Sequence, residues 1–134
     1  MDDIKKIIET SKTIAIVGLS DKPDRPSHVV ASYLVANGFK IYPVNPNLTD
    51  WHGLKAYKSL SEIKEKIDIV DIFRKSEDVL PIVEEATKRV PKPKTIWMQL
   101  GVVNETAAEV AKKAGLNVVM DKCIKIEHTR LKES

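Results

Sequence analysis

Short apolar runs alternate along this chain with longer stretches in which apolar positions recur every three or four residues. Ile4, Ile7 and Ile8 stand at helical spacing and predict an opening helix over residues 2–11. Residues 13–18 are a β-branched run closed by Gly18, the first predicted strand. Over residues 27–37, Val29, Val30, Tyr33, Leu34 and Ala36 suit a helix, which Gly38 stops as a C-terminal cap would. Residues 40–44 predict a second strand, ended by Asn45-Pro46-Asn47, a turn sequence that cannot continue a sheet. A brief strand over 54–57 and a short helix over 61–66, capped by Ser61, are expected next. Residues 67–73 are apolar at nearly every position and read as a third strand. Asp78 is the expected cap of the following helix. Pro81 then falls in its first turn, where a missing amide proton costs little.

The remaining elements follow the same rhythm. Residues 95–98 predict a fourth strand, Asn104 caps a helix that runs to Lys113, and Gly115 ends it. Residues 116–120 predict a fifth strand, and the charged segment after Glu127 a final helix. Strand runs that are apolar on both faces belong to parallel sheets covered by helices on each side. The expected fold class is α/β, a doubly wound, mostly parallel sheet of about five strands with helices on both faces.

Composition narrows the function classes. The chain has 134 residues, 43% hydrophobic and 31% charged, an ordinary balance for a single domain (1–134) with its own core. A net charge of +3, spread over scattered Lys and Arg, argues against nucleic-acid binding yet suits an anionic small molecule. The single Cys123 excludes an intrachain disulfide and fits a reducing compartment. The polar start Met-Asp-Asp-Ile-Lys-Lys lacks a signal-peptide core, and no apolar run nears the roughly 18 residues that span a bilayer. A cytoplasmic protein without membrane contact is the expectation.

In doubly wound sheets, ligands bind beyond the carboxyl ends of the strands, so those five ends form one candidate surface. They read Gly18-Leu19-Ser20, Val44-Asn45-Pro46, Phe73-Arg74-Lys75, Gln99-Leu100-Gly101 and Asp121-Lys122-Cys123. The first corner, a glycine turn opening onto a helix N-terminus, is a natural anion site, because first-turn amides lack partners and the dipole favours negative charge. A nicotinamide or flavin cofactor fits poorly. Its fingerprint needs three turn glycines, and here the positions hold Gly18, Ser20 and Pro23. Nor does strand two end in an acid for the ribose; Asn45 stands there. No P-loop lysine or Gly-x-Ser-x-Gly elbow occurs, and His28, His52 and His128 lie far apart without metal-ligand spacing. Neither a catalytic constellation nor a metal site is expected.

Taken together these segments resemble the coenzyme A-binding domain in its small stand-alone form, related to the N-terminal half of the succinyl-CoA synthetase α subunit. The marks are Val-Gly-Leu-Ser with Arg25, Pro26 and Ser27; Tyr42-Pro-Val-Asn-Pro46; Asp71-Ile-Phe-Arg74; Trp97-Met-Gln-Leu-Gly101; and Asp121-Lys-Cys-Ile124. The resemblance covers about residues 14–128 and implies a Rossmann-like fold binding coenzyme A non-covalently, with no known reaction. It implies that the 18–23 loop holds the phosphates, that Asn45-Pro46-Asn47 approaches the nucleotide, and that Met98-Gln99-Leu100 lies beside the ligand. Relatives often carry lysine where this chain has Asn47, so Arg25 or Arg74 would meet the 3′-phosphate. The synthetase's phosphorylated histidine belongs to another domain, and its chemistry does not transfer.

Each singled-out residue also has a plainer role. Gly18 could simply turn the chain, and Ser27 reads as a helix cap before it reads as a phosphate ligand. Arg25, between Pro23 and Pro26, is better suited to a phosphate fork than to solvent. Phe73 fits the core or an adenine wall shared with Pro43 and Pro46, and Gln99 fits either local backbone or ligand. Cys123, flanked by Lys122 and Lys125, reads first as a small apolar filler and second as a thiol able to pair with the ligand's own. The expected function is non-catalytic coenzyme A binding. A Cys123-dependent acyl transferase, an NAD(P)-dependent enzyme and a coenzyme A-responsive regulatory subunit are the alternatives; a protein partner or homo-oligomer is left open.

Overall fold

Five parallel strands form the central sheet of the computed structural model, which describes residues 3–133. In chain order the elements are α1 (Ile4–Glu9), β1 (Thr13–Val17), α2 (Pro26–Ala36), β2 (Lys40–Val44), β3 (Asp50–Trp51) and β4 (Leu54–Lys55). There follow β5 (Ile69–Ile72), α3 (Val79–Thr87), β6 (Thr95–Met98), α4 (Glu105–Lys113), β7 (Asn117–Val119) and α5 (Ile124–Glu133). The sheet order is β2-β1-β5-β6-β7, with β3 and β4 paired as a separate hairpin. The chain lays β2 on one side of β1 and every later sheet strand on the other, so the order reverses between β1 and β5. The α/β, doubly wound, Rossmann-like expectation is met.

Strand alternation explains the two cores. Ile14 and Ile16 point to one face of β1, with Val30, Ala31 and Leu34 of α2, Trp97 of β6 and Ile124 of α5. Ala15 and Val17 point to the other, with Val79, Val83 and Ala86 of α3 and the three alanines 107, 108 and 111 of α4. Both faces are therefore covered, and the strands read as continuous apolar runs. Asp71 breaks that run. It sits in β5 between Ile16 and Trp97, has no exposure, and neither carboxylate oxygen has a partner; burial pushes its pKa well above the ordinary carboxylate range.

Several boundaries move by one to three residues, as frayed ends do. Strand five is shorter than 116–120, strand three than 67–73, and α5 starts before Glu127. Of the opening helix over 2–11, position 2 lies outside the described residues, and Asp3 caps the helix through the Lys6 amide. Four expectations need correction. The helix over 61–66 is a single 3₁₀ turn, Leu60–Glu62. The Arg89 guanidinium takes the carbonyls of Leu60, Ile63 and Glu65, satisfying them without a helix, and Ser61 gives its hydroxyl proton to Glu85 instead of capping. Asp78 precedes α3 but makes no capping bond, because a 3₁₀ turn (Ser76–Asp78) leads straight into the helix. The strand over 54–57 is half of a hairpin whose other half was not foreseen; Tyr57 instead makes a lone bridge to Val44. Ser27 is no cap, since α2 begins at Pro26 with Arg25 in the cap position. Asn104 does cap α4, accepting from the Ala107 amide.

Candidate functional site

The reversal point carries a cavity of about 820 Å³ beyond the ends of β1, β5 and β6. Two strand ends meet there closely. Gly18 has φ +88, and a Cβ on it would run into the Phe73 carbonyl oxygen and lie 3.0 Å from Arg74 Cδ. Glycine is thus required at this corner for two separate reasons, a left-handed backbone and a lack of room.

The loop from Gly18 to Arg25 is held by side chains rather than left open. The Gly18 amide donates to Val44 O, the Ser20 amide to Ser27 Oγ at 3.0 Å, and the Lys22 amide to Ser20 Oγ at 3.0 Å. Arg25 donates its amide to Lys22 O, and His28 donates its own to Arg25 O. The corner expected to hold vacant amides is therefore partly engaged, through Gly18, Ser20, Lys22 and Arg25, while among the described residues the amides of Leu19, Asp21 and Asp24 have no acceptor. The Ser27 amide, behind Pro26 in the first turn of α2, keeps no acceptor. Two indoles anchor the cavity's rim from below. Trp51 Nε1 donates to Ser20 O at 3.0 Å, and Trp97 Nε1 donates to Lys122 O at 2.8 Å.

Four cations line the cavity. Lys22 and Arg25 line it from the first loop, Arg74 and Lys75 from the loop after β5. All four are exposed, and among the described residues none is within ion-pair distance of a carboxylate. Asp78 is the acid in the wall. Apolar side chains line it too: Val30, Phe73, Leu100, Val102 and Ile126, with the Cys123 thiol among them. Leu100 and Ile126 are exposed at 64% and 43%, which an apolar side chain at a mouth would be if a ligand covered it. Gln99 is buried and accepts the Ile124 amide on its Oε1, which ties the end of β6 to the start of α5.

Of the residues singled out from the sequence, Gly18, Ser20, Arg25, Ser27, Phe73, Arg74, Gln99, Leu100 and Cys123 surround this cavity. Leu19 does not: its side chain is fully buried in the core. Pro43 is buried within edge strand β2 opposite Ile16 and does not line the cavity. Asn45 acts from behind, donating to Leu19 O and accepting the Asn47 amide, an Asx turn that leaves Asn47 exposed. Pro46 lines a neighbouring groove of about 400 Å³ that shares Arg74 and Asp78 with the cavity. Gly101 turns outward and gives its amide to Asp121 Oδ1. Sequence reasoning named Lys75 among the strand ends without giving it a role, missed Lys22 in the first loop, and missed Val30 and Ile126 because helix residues carry no local sign of facing a ligand. The histidines, dispersed along the chain, are not all apart in space: His28 and His52 touch.

Cys123 is a half-buried free thiol, and no group of three or more His, Cys, Asp or Glu is arranged to hold a metal among the described residues. No helix there is long and apolar enough to cross a membrane.

Comparison with known proteins agrees with this geometry. Residues 12–129 match a family described as a CoA binding domain. An uncharacterized protein of Bacillus subtilis (strain 168), YneT, is 48% identical over 126 residues, covering 94% of this chain and 92% of its own. A 4-hydroxybutyrate–CoA ligase (ADP-forming) of Nitrosopumilus maritimus is 33% identical over 128 residues, covering 87% of this chain but only 18% of the ligase. A solved structure of a hypothetical protein from Pyrococcus horikoshii OT3 superposes with a TM-score of 0.92 at 40% identity, covering 96% of this chain and 89% of its own.

Proposed function

This chain belongs to the CoA-binding domain family, and from that premise we propose that it binds coenzyme A non-covalently in the cavity at the β1–β5 reversal and performs no chemistry on it. The observation that carries the reading is four unpaired cations beside an apolar wall in one opening. Coenzyme A carries both kinds of group, a 3′-phosphate and a diphosphate in its middle, flanked by an adenine and a pantetheine arm that cover apolar surface. Arg25 and Arg74 supply planar forks for phosphate oxygens, Lys22 and Lys75 supply point charges, and the Ser27 amide adds the positive end of α2. Phe73 and Val30 offer an adenine or pantetheine wall, and Gln99 and Leu100 lie beside it.

The ligases that share this domain are about five times longer than it in the Nitrosopumilus case, so their group-transfer chemistry has other parts to draw on. Sequestering or reporting coenzyme A inside the cell is the role this reading favours. Calorimetric titration with coenzyme A, dephospho-coenzyme A and NAD tests it. Saturable heat with coenzyme A, weaker binding without the 3′-phosphate, and none with NAD is the expected pattern. NAD binding in the absence of any coenzyme A heat overturns it.

A further inference from the structure

Away from the cavity, two imidazoles meet where the β3–β4 hairpin docks on α2. His28 Nε2 and His52 Nε2 are 2.8 Å apart, although 24 positions separate the residues. The Trp51 ring lies against both, its centroid 5.1 Å from that of His28 and 4.5 Å from that of His52. His28 is 7% exposed, whereas His52 is open to solvent. The pair therefore has one rigid, buried member and one accessible member.

The backbone holding His52 is unusual. His52 and Gly53 both have positive φ, 50 and 83, and together they form the two-residue turn of the hairpin. Asn-Gly is the favoured pair at such a turn, and a histidine is an uncommon occupant of left-handed backbone. The strained residue is the one whose ring reaches His28.

Two Nε2 atoms at this separation have two options. One donates a proton to the other, or both present lone pairs to a shared cation. Two nitrogens on one tetrahedral ion, at imidazole–metal distances of about 2.0–2.1 Å, stand about 3.3 Å apart, so the rings part by about half an ångström to take an ion between them. The outer nitrogens allow it. His28 Nδ1 is 3.4 Å from Ser32 Oγ, an acceptor for the Nδ1 proton, and the His52 ring is exposed so that its Nδ1 proton can face water. Ion uptake then moves a proton from Nε2 to Nδ1 within one ring, with no net change in protonation. Among the described residues no third His, Cys, Asp or Glu joins the two, so water fills the remaining positions.

We propose that His28 and His52 form a two-imidazole site for a late divalent transition-metal ion, of the Zn²⁺, Ni²⁺ or Cu²⁺ type, at the junction of the hairpin and α2. Neutral nitrogen ligands select such ions over Mg²⁺ and Ca²⁺, which demand oxygen. The ion adds a tie between the hairpin turn and the helix, next to the indole that anchors the Ser20 carbonyl.

The test titrates the metal-free protein in thiol-free buffer at neutral pH with ZnCl₂ by calorimetry and with CuCl₂ by tryptophan fluorescence, with MgCl₂ as the comparison. One Zn²⁺ per chain, quenching of Trp51 by Cu²⁺ and no response to Mg²⁺ are expected. His52→Asn keeps a residue at ease in a left-handed turn and should preserve the fold, verified by circular dichroism, while weakening Zn²⁺ by about tenfold or more. His28→Gln should do the same, and His128→Gln should leave the titration unchanged. Absence of saturable Zn²⁺ binding shows that the rings share only a proton and overturns the proposal. So does Zn²⁺ binding that survives His52→Asn at full strength.

Discussion

Replacing Gly18 by alanine probes the closest approach in the site, and Gly115 supplies its control. The two glycines have nearly the same backbone, φ +88 and φ +89, so an alanine at either suffers about the same left-handed penalty, about 1–2 kcal/mol. Their surroundings differ. A Cβ on Gly115 meets nothing within 4 Å, whereas one on Gly18 collides with the Phe73 carbonyl. That oxygen belongs to backbone leaving the sheet at β5, so it can yield only by moving Phe73 and Arg74 together. Overpacking of this kind adds about 1–3 kcal/mol. Gly18→Ala should therefore destabilise by about 2–5 kcal/mol and Gly115→Ala by about 1–2 kcal/mol. Urea unfolding followed by tryptophan fluorescence reads both, since Trp51 and Trp97 are buried. A coenzyme A titration under folding conditions should show a lost or much reduced affinity for Gly18→Ala alone. Equal destabilisation by the two substitutions, or undiminished coenzyme A affinity in Gly18→Ala, would refute the claim that this corner is sterically closed and shapes the site.

Three more outcomes follow from the same geometry. Asp71 keeps its proton in the folded chain after the unfolded chain has lost it, so stability falls as pH rises above the ordinary value of 3.8. The fall is about 1.4 kcal/mol per pH unit until the folded group ionises. Asp71→Asn should remove that slope, and parallel stability–pH profiles for the two proteins would contradict an unpartnered, protonated Asp71. Arg25→Ala and Arg74→Ala should each weaken coenzyme A by about tenfold or more, the worth of a charge-assisted hydrogen bond, and less so at high salt. Full affinity in both would place the phosphates elsewhere. Incubation with coenzyme A disulfide should exchange onto Cys123, releasing one coenzyme A thiol and adding one coenzyme A to the intact mass. Dithiothreitol should reverse the gain and Cys123→Ser abolish it; an unmodified wild-type protein would show that the ligand's thiol end lies away from Cys123.

Much of the fold was legible because its determinants are local. The β-branched runs, the glycine stops and the Asn104 cap state their own conformations. The failures are equally specific. The β3–β4 hairpin turns on His52-Gly53 rather than Asn-Gly, so the usual turn signal was absent. The turn at Leu60 ended early because Arg89, 26 residues beyond Ile63, supplied donors that no local reading contains. Pro43 lies outside the cavity, because adjacency to Asn45 along the chain says nothing about which side of an edge strand faces an opening. Ser27 sits at a helix start as expected, but its hydroxyl serves the Ser20 amide across the loop.

From sequence alone came the class of fold, the five strand ends and the kind of charge gathered at them, since backbone sterics and the partition of apolar side chains from water act between near neighbours. Tertiary structure alone decided that β1 lies beside β5. That placement sets Gly18 against Phe73, joins the cations of two loops in one cavity, excludes Leu19 and Pro43 from it, and elsewhere lets His28 meet His52. Such contacts depend on strand order and on how each helix crosses the sheet, quantities that belong to the packed molecule and to no short stretch of its chain.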